Sequence, residues 1–189
     1  LGGPGVGLDQ PLAQALARDT QALVLQAFAW ITHLADTRTI VVLGILVAGV
    51  LLWRRRWAWC AAWVAALAGN GVLNVSLKAV FERVRPLHEH GYAIEHGWSF
   101  PSGHSSGAVV FWGMLAWMAL RLTPSRWHGL IIAGVTALIL TIGFSRVVLQ
   151  VHYVSDVAAG FCSGFAWLLL CILAVHSWEQ GREPQSVRG

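Results

Sequence analysis

Five apolar stretches, each near the length of a bilayer crossing, limit what this chain can fold into more than any other feature. They run from Thr37 to Trp53, Trp57 to Val75, Ser105 to Leu122, Trp127 to Phe144 and Val157 to Trp178, and the middle of each lacks ionisable side chains. A segment surrounded by hydrocarbon must satisfy its own backbone hydrogen bonds, which makes each stretch helical. About 20 apolar residues suffice to cross, fewer where flanking side chains snorkel. Composition agrees: 56% of the 189 residues are hydrophobic and 12% charged, with a mean hydropathy of +0.60, whereas soluble domains carry about 25% charged residues. The expected fold is all-α, a polytopic transmembrane helix bundle forming one domain.

Ahead of the first stretch, Leu12, Leu16, Leu23, Ala27, Ile31 and Leu34 recur at helical intervals among Gln14, Arg18, Asp19 and Gln21. That pattern predicts an N-terminal amphipathic helix lying in the membrane interface; loss of a first crossing upstream would leave the same pattern. Leu1 to Gly7 reads as a glycine-rich leader. The expected organisation is a leader and interfacial segment over 1–36, a transmembrane catalytic domain over 37–178 and a cytoplasmic tail over 179–189. Trp53, Trp57, Trp59, Trp98, Trp127 and Trp178 lie near run ends and fit an aromatic belt at headgroup level, with core filling as the alternative. Cys60, Cys162 and Cys171 sit in apolar runs without ligand spacing and read as inert buried thiols. The net charge of +4 comes from short clusters between apolar runs, not from one basic stripe, so nucleic-acid binding is not expected.

Basic residues in short loops favour the cytoplasm. Arg54, Arg55, Arg56, Arg121, Arg126, Arg182 and Arg188 fall on one side, and Arg18, Arg38, Lys78, Arg83, Arg85 and Arg146 on the other, a balance of seven to six. If Lys78, Arg85 and Arg146 are kept for a buried anion, they report chemistry instead of topology, and seven then face three. The side of Arg54, Arg55 and Arg56 is then cytoplasmic. The end of the second stretch, the start of the third and the turn between the fourth and fifth meet on the opposite, extracytoplasmic face of a cell (inner) membrane.

Those three segments carry the reactive side chains. The first reads Lys78-Ala-Val-Phe-Glu-Arg-Val-Arg85-Pro86; its cations suit an anion, or equally serve as snorkelling anchors. The second reads Ser99-Phe-Pro101-Ser102-Gly103-His104 and leads into a helix, whose unpaired first-turn N–H groups and positive dipole end suit a phosphate. Ser102 can donate its hydroxyl, Gly103 lets the backbone approach, and His104 can protonate an ester oxygen; an ordinary helix cap beside a loop histidine remains the alternative. The third reads Ser145-Arg146, then His152-Tyr-Val-Ser-Asp156. Arg146 offers a planar fork for two phosphate oxygens. Asp156 can hold one nitrogen of His152 as N–H and leave the other nucleophilic, although Ser155 and Asp156 also suit a plain helix cap. Together these segments hold cations, histidines and a carboxylate in the combination that in-line phosphoryl transfer requires.

Lys-x6-Arg-Pro at Lys78 to Pro86, Pro-Ser-Gly-His at Pro101 to His104, and Ser-Arg-x5-His-x3-Asp at Ser145 to Asp156 resemble the three motifs of the type 2 phosphatidic acid phosphatase family, in order and complete. The resemblance spans roughly residues 8 to 178. It implies that Lys78, Arg85, Ser102, Gly103, Ser145 and Arg146 bind phosphate, that His152 is the nucleophile with Asp156 as its partner, and that His104 is the general acid. It implies no metal and no other cofactor. Membrane members of the family usually have six spans, one more than is visible here.

The expected activity is therefore hydrolysis of a lipid phosphate or lipid pyrophosphate within the bilayer through a phosphohistidine. The substrate is of the undecaprenyl pyrophosphate, phosphatidylglycerol phosphate, phosphatidic acid or lipid A type, and transfer of the phosphate to another lipid is the nearest alternative. A metal-binding or transport protein is a competing class, motivated by His88, Glu89, His90, Glu95 and His96, but their spacing matches no rigid ligand frame. A channel would need polar groups deeper in the spans, and a haloperoxidase would be soluble. The oligomeric state leaves no trace in the sequence.

Overall fold

The computed structural model describes residues 9, 11, 21–86, 93 and 95–181. Its helices are α1 (Ala22–Thr32), α2 (Thr37–Trp53), α3 (Trp57–Phe81), α4 (Gly103–Leu122), α5 (His128–Val148) and α6 (Val154–Gln180), with 3-10 turns at His33–Ala35 and Ser125–Trp127. Among the described residues, four segments are each long and apolar enough to cross a membrane: Trp57–Phe81, Gly103–Leu122, Ser125–Val148 and Val154–Gln180. A fifth crossing results if Ala22–Ala35 and Thr37–Trp53, bent by 41°, act as one broken span. With 17 residues, α2 alone reaches about 26 Å at the helical rise, short of a hydrocarbon core of about 30 Å. Among the described residues the chain is all-α, as expected.

The crossing helices outgrow the apolar stretches at one end of the bundle. Helix α3 continues past Val75 to Phe81, α4 starts at Gly103, α5 continues past Phe144 to Val148 and α6 starts at Val154. Hydropathy ends where polar side chains begin, but backbone hydrogen bonding does not, so Lys78, His104, Arg146 and Asp156 all sit within helical turns. Local chemistry then stops the chain: Glu82 (φ 42°) closes α3 in the left-handed region, and Gln150 (φ 56°) turns the chain after α5. At the same end Asp36 caps α2, its Oδ1 accepting the Arg38 N–H at 2.8 Å. Helix α1 buries Leu25 against Val148, Leu149 and Val151, while Leu23 and Trp30 stay exposed. Leu12, Leu16, Arg18 and Asp19, which carry the rest of the expected amphipathic pattern, lie outside the described residues.

Helices α4 and α6 cross at Gly160 and Gly164, where a Cβ would lie 2.6 Å from the Ser102 carbonyl oxygen and 2.8 Å from that of Ser106. Small residues one turn apart let two backbones touch in this way, and the contact locks the start of α6 against the start of α4. The core is centred on Trp63, Val110, Phe111 and Met114, with Trp63 Nε1 donating to Gly44 O on α2 at 2.9 Å. The belt expectation is corrected at one position: Trp59 is buried, its Nε1 donating to Glu179 at 3.1 Å and its ring packed on Trp117, whereas Trp53, Trp57, Trp98, Trp127 and Trp178 are exposed. Of the cysteines, Cys60 and Cys171 are buried, but Cys162 faces outward.

Candidate active site

Backbone hydrogen bonds stitch the three reactive segments together. Ser99 N–H donates to Arg83 O at 2.7 Å, Ser102 N–H to Asp156 O at 3.0 Å, and His152 N–H to Arg146 O at 3.2 Å. The site therefore belongs to the fold of the helix ends and does not depend on side-chain attraction alone.

His152 lies in the turn between α5 and α6 and is 1% exposed. Its Nε2 lies 3.2 Å from Arg85 Nη1. A guanidinium can only donate, so Nε2 is the bare nitrogen and the proton sits on Nδ1. That Nδ1 lies 3.4 Å from Asp156 Oδ2 and 3.3 Å from Ser99 Oγ. Burial, joined by the Arg85 and Arg146 charges and opposed by the hydrogen bond to Asp156, pushes the His152 pKa down to about 4. Burial thus favours the neutral imidazole, whose Nε2 lone pair accepts from Arg85 at the cavity wall.

Asp156 is wholly buried and held by converging donors: Tyr153 N–H at 3.0 Å, Arg83 Nη1 at 2.6 Å, the Ser99 hydroxyl and His152. Arg83 also bonds Ser155 Oγ at 2.6 Å and Asp9 at 2.8 Å, and its guanidinium lies 4.3 Å from the centroid of the Tyr153 ring. Sequence reasoning counted Arg83 only as a loop charge and gave Ser99 no role. The signal for Arg83 was its place two residues before Arg85. Ser99 carried none beyond adjoining the Pro101 segment.

The cations converge from three directions. Arg146, 1% exposed, extends from α5 with Nη1 on Thr32 Oγ1 at 2.8 Å and Nη2 on Glu95 Oε1 at 2.5 Å. Its buried Nε has no hydrogen-bond partner among the described residues. Arg85 donates to Val151 O at 2.8 Å and to Gly97 O at 3.0 Å, and Lys78 Nζ donates to Trp98 O. Burial pushes the Arg85 pKa below its ordinary value, opposed by Glu95 and Asp156. His104, in the first turn of α4, lies with its Nδ1 3.7 Å from Glu95 Oε1. Glu95 thus places a carboxylate between Arg146 and His104, an anion where the sequence predicts a phosphate.

Lys78, Arg85, Gly103, His104 and His152 line one cavity of about 870 Å³, which continues between α2 and α3 along Ile40, Gly44, Ile45 and Leu67. Three of the expected phosphate ligands, Ser102, Ser145 and Arg146, are not among the residues that line it. Ser102 is fully buried, its Oγ accepting from the Ser105 N–H at 3.4 Å as the helix cap and from Ser105 Oγ at 3.0 Å, and its N–H is spent on Asp156 O. Ser145 gives its hydroxyl to Ile142 O at 2.5 Å within its own helix. The first-turn N–H groups of Gly103 and His104, which have no partner within the helix by its geometry, remain as backbone donors. Of the residues considered for a metal, His88, Glu89 and His90 lie outside the described residues, and among the described residues no three potential ligands gather.

Residues 57–180 match the family model of the PAP2 superfamily. Phosphatidylglycerophosphatase B of Bacillus subtilis (strain 168) is 31% identical over 172 residues, covering 86% of this chain and 80% of that protein. Lipid A 1-phosphatase of Rhizobium etli is 29% identical over 133 residues, covering 64% of this chain and 52% of that protein. The crystal structure of the first transmembrane PAP2-type phosphatidylglycerolphosphate phosphatase from Bacillus subtilis superposes with a TM-score of 0.82 at 26% identity, covering 95% of this chain and 88% of that one.

Proposed function

The chain belongs to the PAP2 superfamily, and from that premise we propose that this multi-pass membrane lipid phosphatase cleaves a lipid phosphate or pyrophosphate through a phosphohistidine on His152. The observation that carries the reading is the setting of His152: a buried imidazole on the wall of a cation-lined cavity, with Nε2 3.2 Å from Arg85 Nη1 and Nδ1 3.4 Å from Asp156 Oδ2. Arg83 and Ser99 act one step back, fixing the carboxylate that fixes the nucleophile.

In the proposed cycle the phosphate displaces the Glu95 carboxylate from Arg146, draws Arg85 Nη1 off His152 Nε2 and so frees its lone pair, and meets Lys78, Arg85 and the Nε of Arg146, which has no partner among the described residues. The N–H groups of Gly103 and His104 take further oxygens. His152 Nε2 attacks phosphorus in line, the bond to the lipid oxygen breaks, and His104 gives that oxygen its proton. Water then attacks the phosphorus, yielding its proton to His104, as the phosphorus–nitrogen bond breaks and its electron pair returns to His152 Nε2, releasing inorganic phosphate. The charge that develops on the equatorial oxygens is met by Lys78, Arg85 and Arg146, so these side chains supply what a metal would otherwise contribute. The groove between α2 and α3 takes the lipid tail sideways from the membrane. With Lys78, Arg85 and Arg146 set aside as phosphate ligands, the remaining balance of lysine and arginine, seven to three, favours a site on the extracytoplasmic face of the inner membrane.

The test is phosphate release by purified protein in detergent with excess chelator, offered phosphatidylglycerol phosphate, phosphatidic acid and undecaprenyl pyrophosphate. Chelator-resistant release from at least one is expected. Release that requires an added divalent ion would refute the metal-free mechanism, and label passing to a second lipid instead of to water would make the enzyme a transferase.

The pH dependence follows from His152. The attacking form is the neutral one, and its pKa is lowered from 6.5 to about 4, so the nucleophile is competent above that value and is lost as pH falls through it. The acid limb of kcat/KM should therefore lie near pH 4. Measuring it with two phosphate monoesters of different second pKa separates the enzyme's limb, which stays, from the substrate's, which moves. A limb fixed near 6.5 would contradict the assignment.

A further inference from the structure

Leu25, Phe28 and Thr32 follow one another at three and four residues, which sets them on one face of α1. That face meets the end of α5. Leu25 is buried against Val148, Leu149 and Val151, the Phe28 and Phe144 rings meet edge to face at 5.7 Å, and Thr32 Oγ1 accepts from Arg146 Nη1 at 2.8 Å. Thr32 is the polar member of an otherwise apolar stripe, and it is buried.

This bond decides which edge of the guanidinium is left for a ligand. The group is a rigid plane of five N–H donors. It can hold two oxygens of one anion at its end, through Nη1 and Nη2, or along its side, through Nη2 and Nε. Thr32 engages Nη1 and holds that corner of the plane on α1. Along the side, Nε is buried without a partner among the described residues, and Nη2 carries the Glu95 carboxylate at 2.5 Å. Arg146 is set behind the cavity wall, but Glu95 lines the cavity, so an anion that replaces the carboxylate meets Nη2 and Nε together. An arginine buried only to brace the helices would have its Nε paired as well.

We propose that Thr32 is a positioning residue for phosphate capture: by holding Nη1 of Arg146 it presents the side edge of the guanidinium, Nη2 and Nε, to two phosphate oxygens. A long side chain fixed before the substrate arrives loses less freedom on binding it. Helix α1 is thereby part of the site, through a residue 114 positions from the arginine it orients. The role rests on the phosphatase reading above.

The test titrates orthovanadate, an inorganic mimic of the phosphoryl group in transfer, into detergent-solubilised protein by calorimetry, with thermal unfolding followed alongside. Thr32→Val keeps the shape and removes the acceptor, whereas Thr32→Ser keeps the hydroxyl. The valine variant should bind vanadate about tenfold more weakly, the size of a lost hydrogen bond to a charged group, and its kcat/KM on the lipid should fall in parallel. The serine variant should bind as the wild type does. Leu25→Ala loosens the same face of α1 without touching Arg146, so it should lower the unfolding temperature and leave vanadate affinity in place. Unchanged affinity in folded Thr32→Val, a loss of the same size in Thr32→Ser or Leu25→Ala, or a wild type that binds no vanadate would overturn the role. Thr32→Asn, whose acceptor lies one bond further out, serves where the valine variant does not fold, and should lose affinity likewise. Wild-type protein that binds vanadate but releases phosphate from no lipid would defeat the phosphatase reading instead, and the vanadate affinities would still decide Thr32.

Discussion

Replacing His152 with alanine should reduce phosphate release from the lipid substrate by about a thousandfold or more, a barrier increase of about 4 kcal/mol, because no other group can take over the attacking role. The proton on Nδ1 is pinned toward Asp156 and Ser99, and Nε2 is the bare nitrogen at the cavity. Nearby nitrogens do not substitute. Arg85, Arg146 and Lys78 are cations without a lone pair to give, and His104 sits on the α4 side of the cavity, where the leaving group must depart. The measurement is single-turnover phosphate release from detergent-solubilised variant and wild type, with thermal unfolding as the check that the variant folds. Loss of less than tenfold would mean that water attacks directly and that His152 serves only to position it.

Arg146→Lys should be nearly as damaging despite keeping the charge. The guanidinium reaches across the site with one nitrogen on Thr32, one near Glu95 and a third unpaired, and it is almost fully buried. A lysine ammonium is a single point and cannot hold Thr32 and two phosphate oxygens together. Loss of one such transition-state donor costs about 10²- to 10³-fold, or about 3 to 4 kcal/mol. The expected result is a fall of that size in kcat/KM, measured on the same lipid. Full activity in the lysine variant would show that Arg146 acts as a charge and not as a fork.

The gathering of the candidate site was legible in the sequence where residue type and location at a span end coincide. Lys78, Arg85, His104, Arg146, His152 and Asp156 could be named because charged and reactive side chains at several helix ends on one face are costly unless used. What the sequence did not reveal depends on contacts remote in the chain. Arg83 reaches Asp156 across 73 positions and Arg146 reaches Thr32 across 114, and neither pairing leaves a local pattern. Ser102 and Ser145 lie off the cavity for the opposite reason. Their hydroxyls satisfy helical turns close by, and a serine at a helix end fits a cap as readily as a ligand. Four crossing stretches were legible from hydropathy, and the fifth, Thr37 to Trp53, was legible as a helix that needs the bent α1 to complete a crossing; the ends of the four on the site side were not, because helical hydrogen bonding carries on through the polar turns that hold the site. The Gly160 and Gly164 crossing was open to reading from its spacing alone, and it explains how α6 comes close enough to α4 for the Ser102 and Asp156 backbones to bond.

The central claim is that phosphate passes through His152, and a rapid-quench experiment with lipid labelled in its terminal phosphate tests it most directly. Protein quenched in base during the first turnover should carry label that is stable to alkali, is released by mild acid, and is absent from His152→Ala. The label should persist longer in His104→Ala, where the water that hydrolyses the intermediate has lost its base. Complete release of labelled phosphate, with no protein-bound label at any time in wild type or in His104→Ala, would contradict a covalent route and leave direct attack by water as the mechanism.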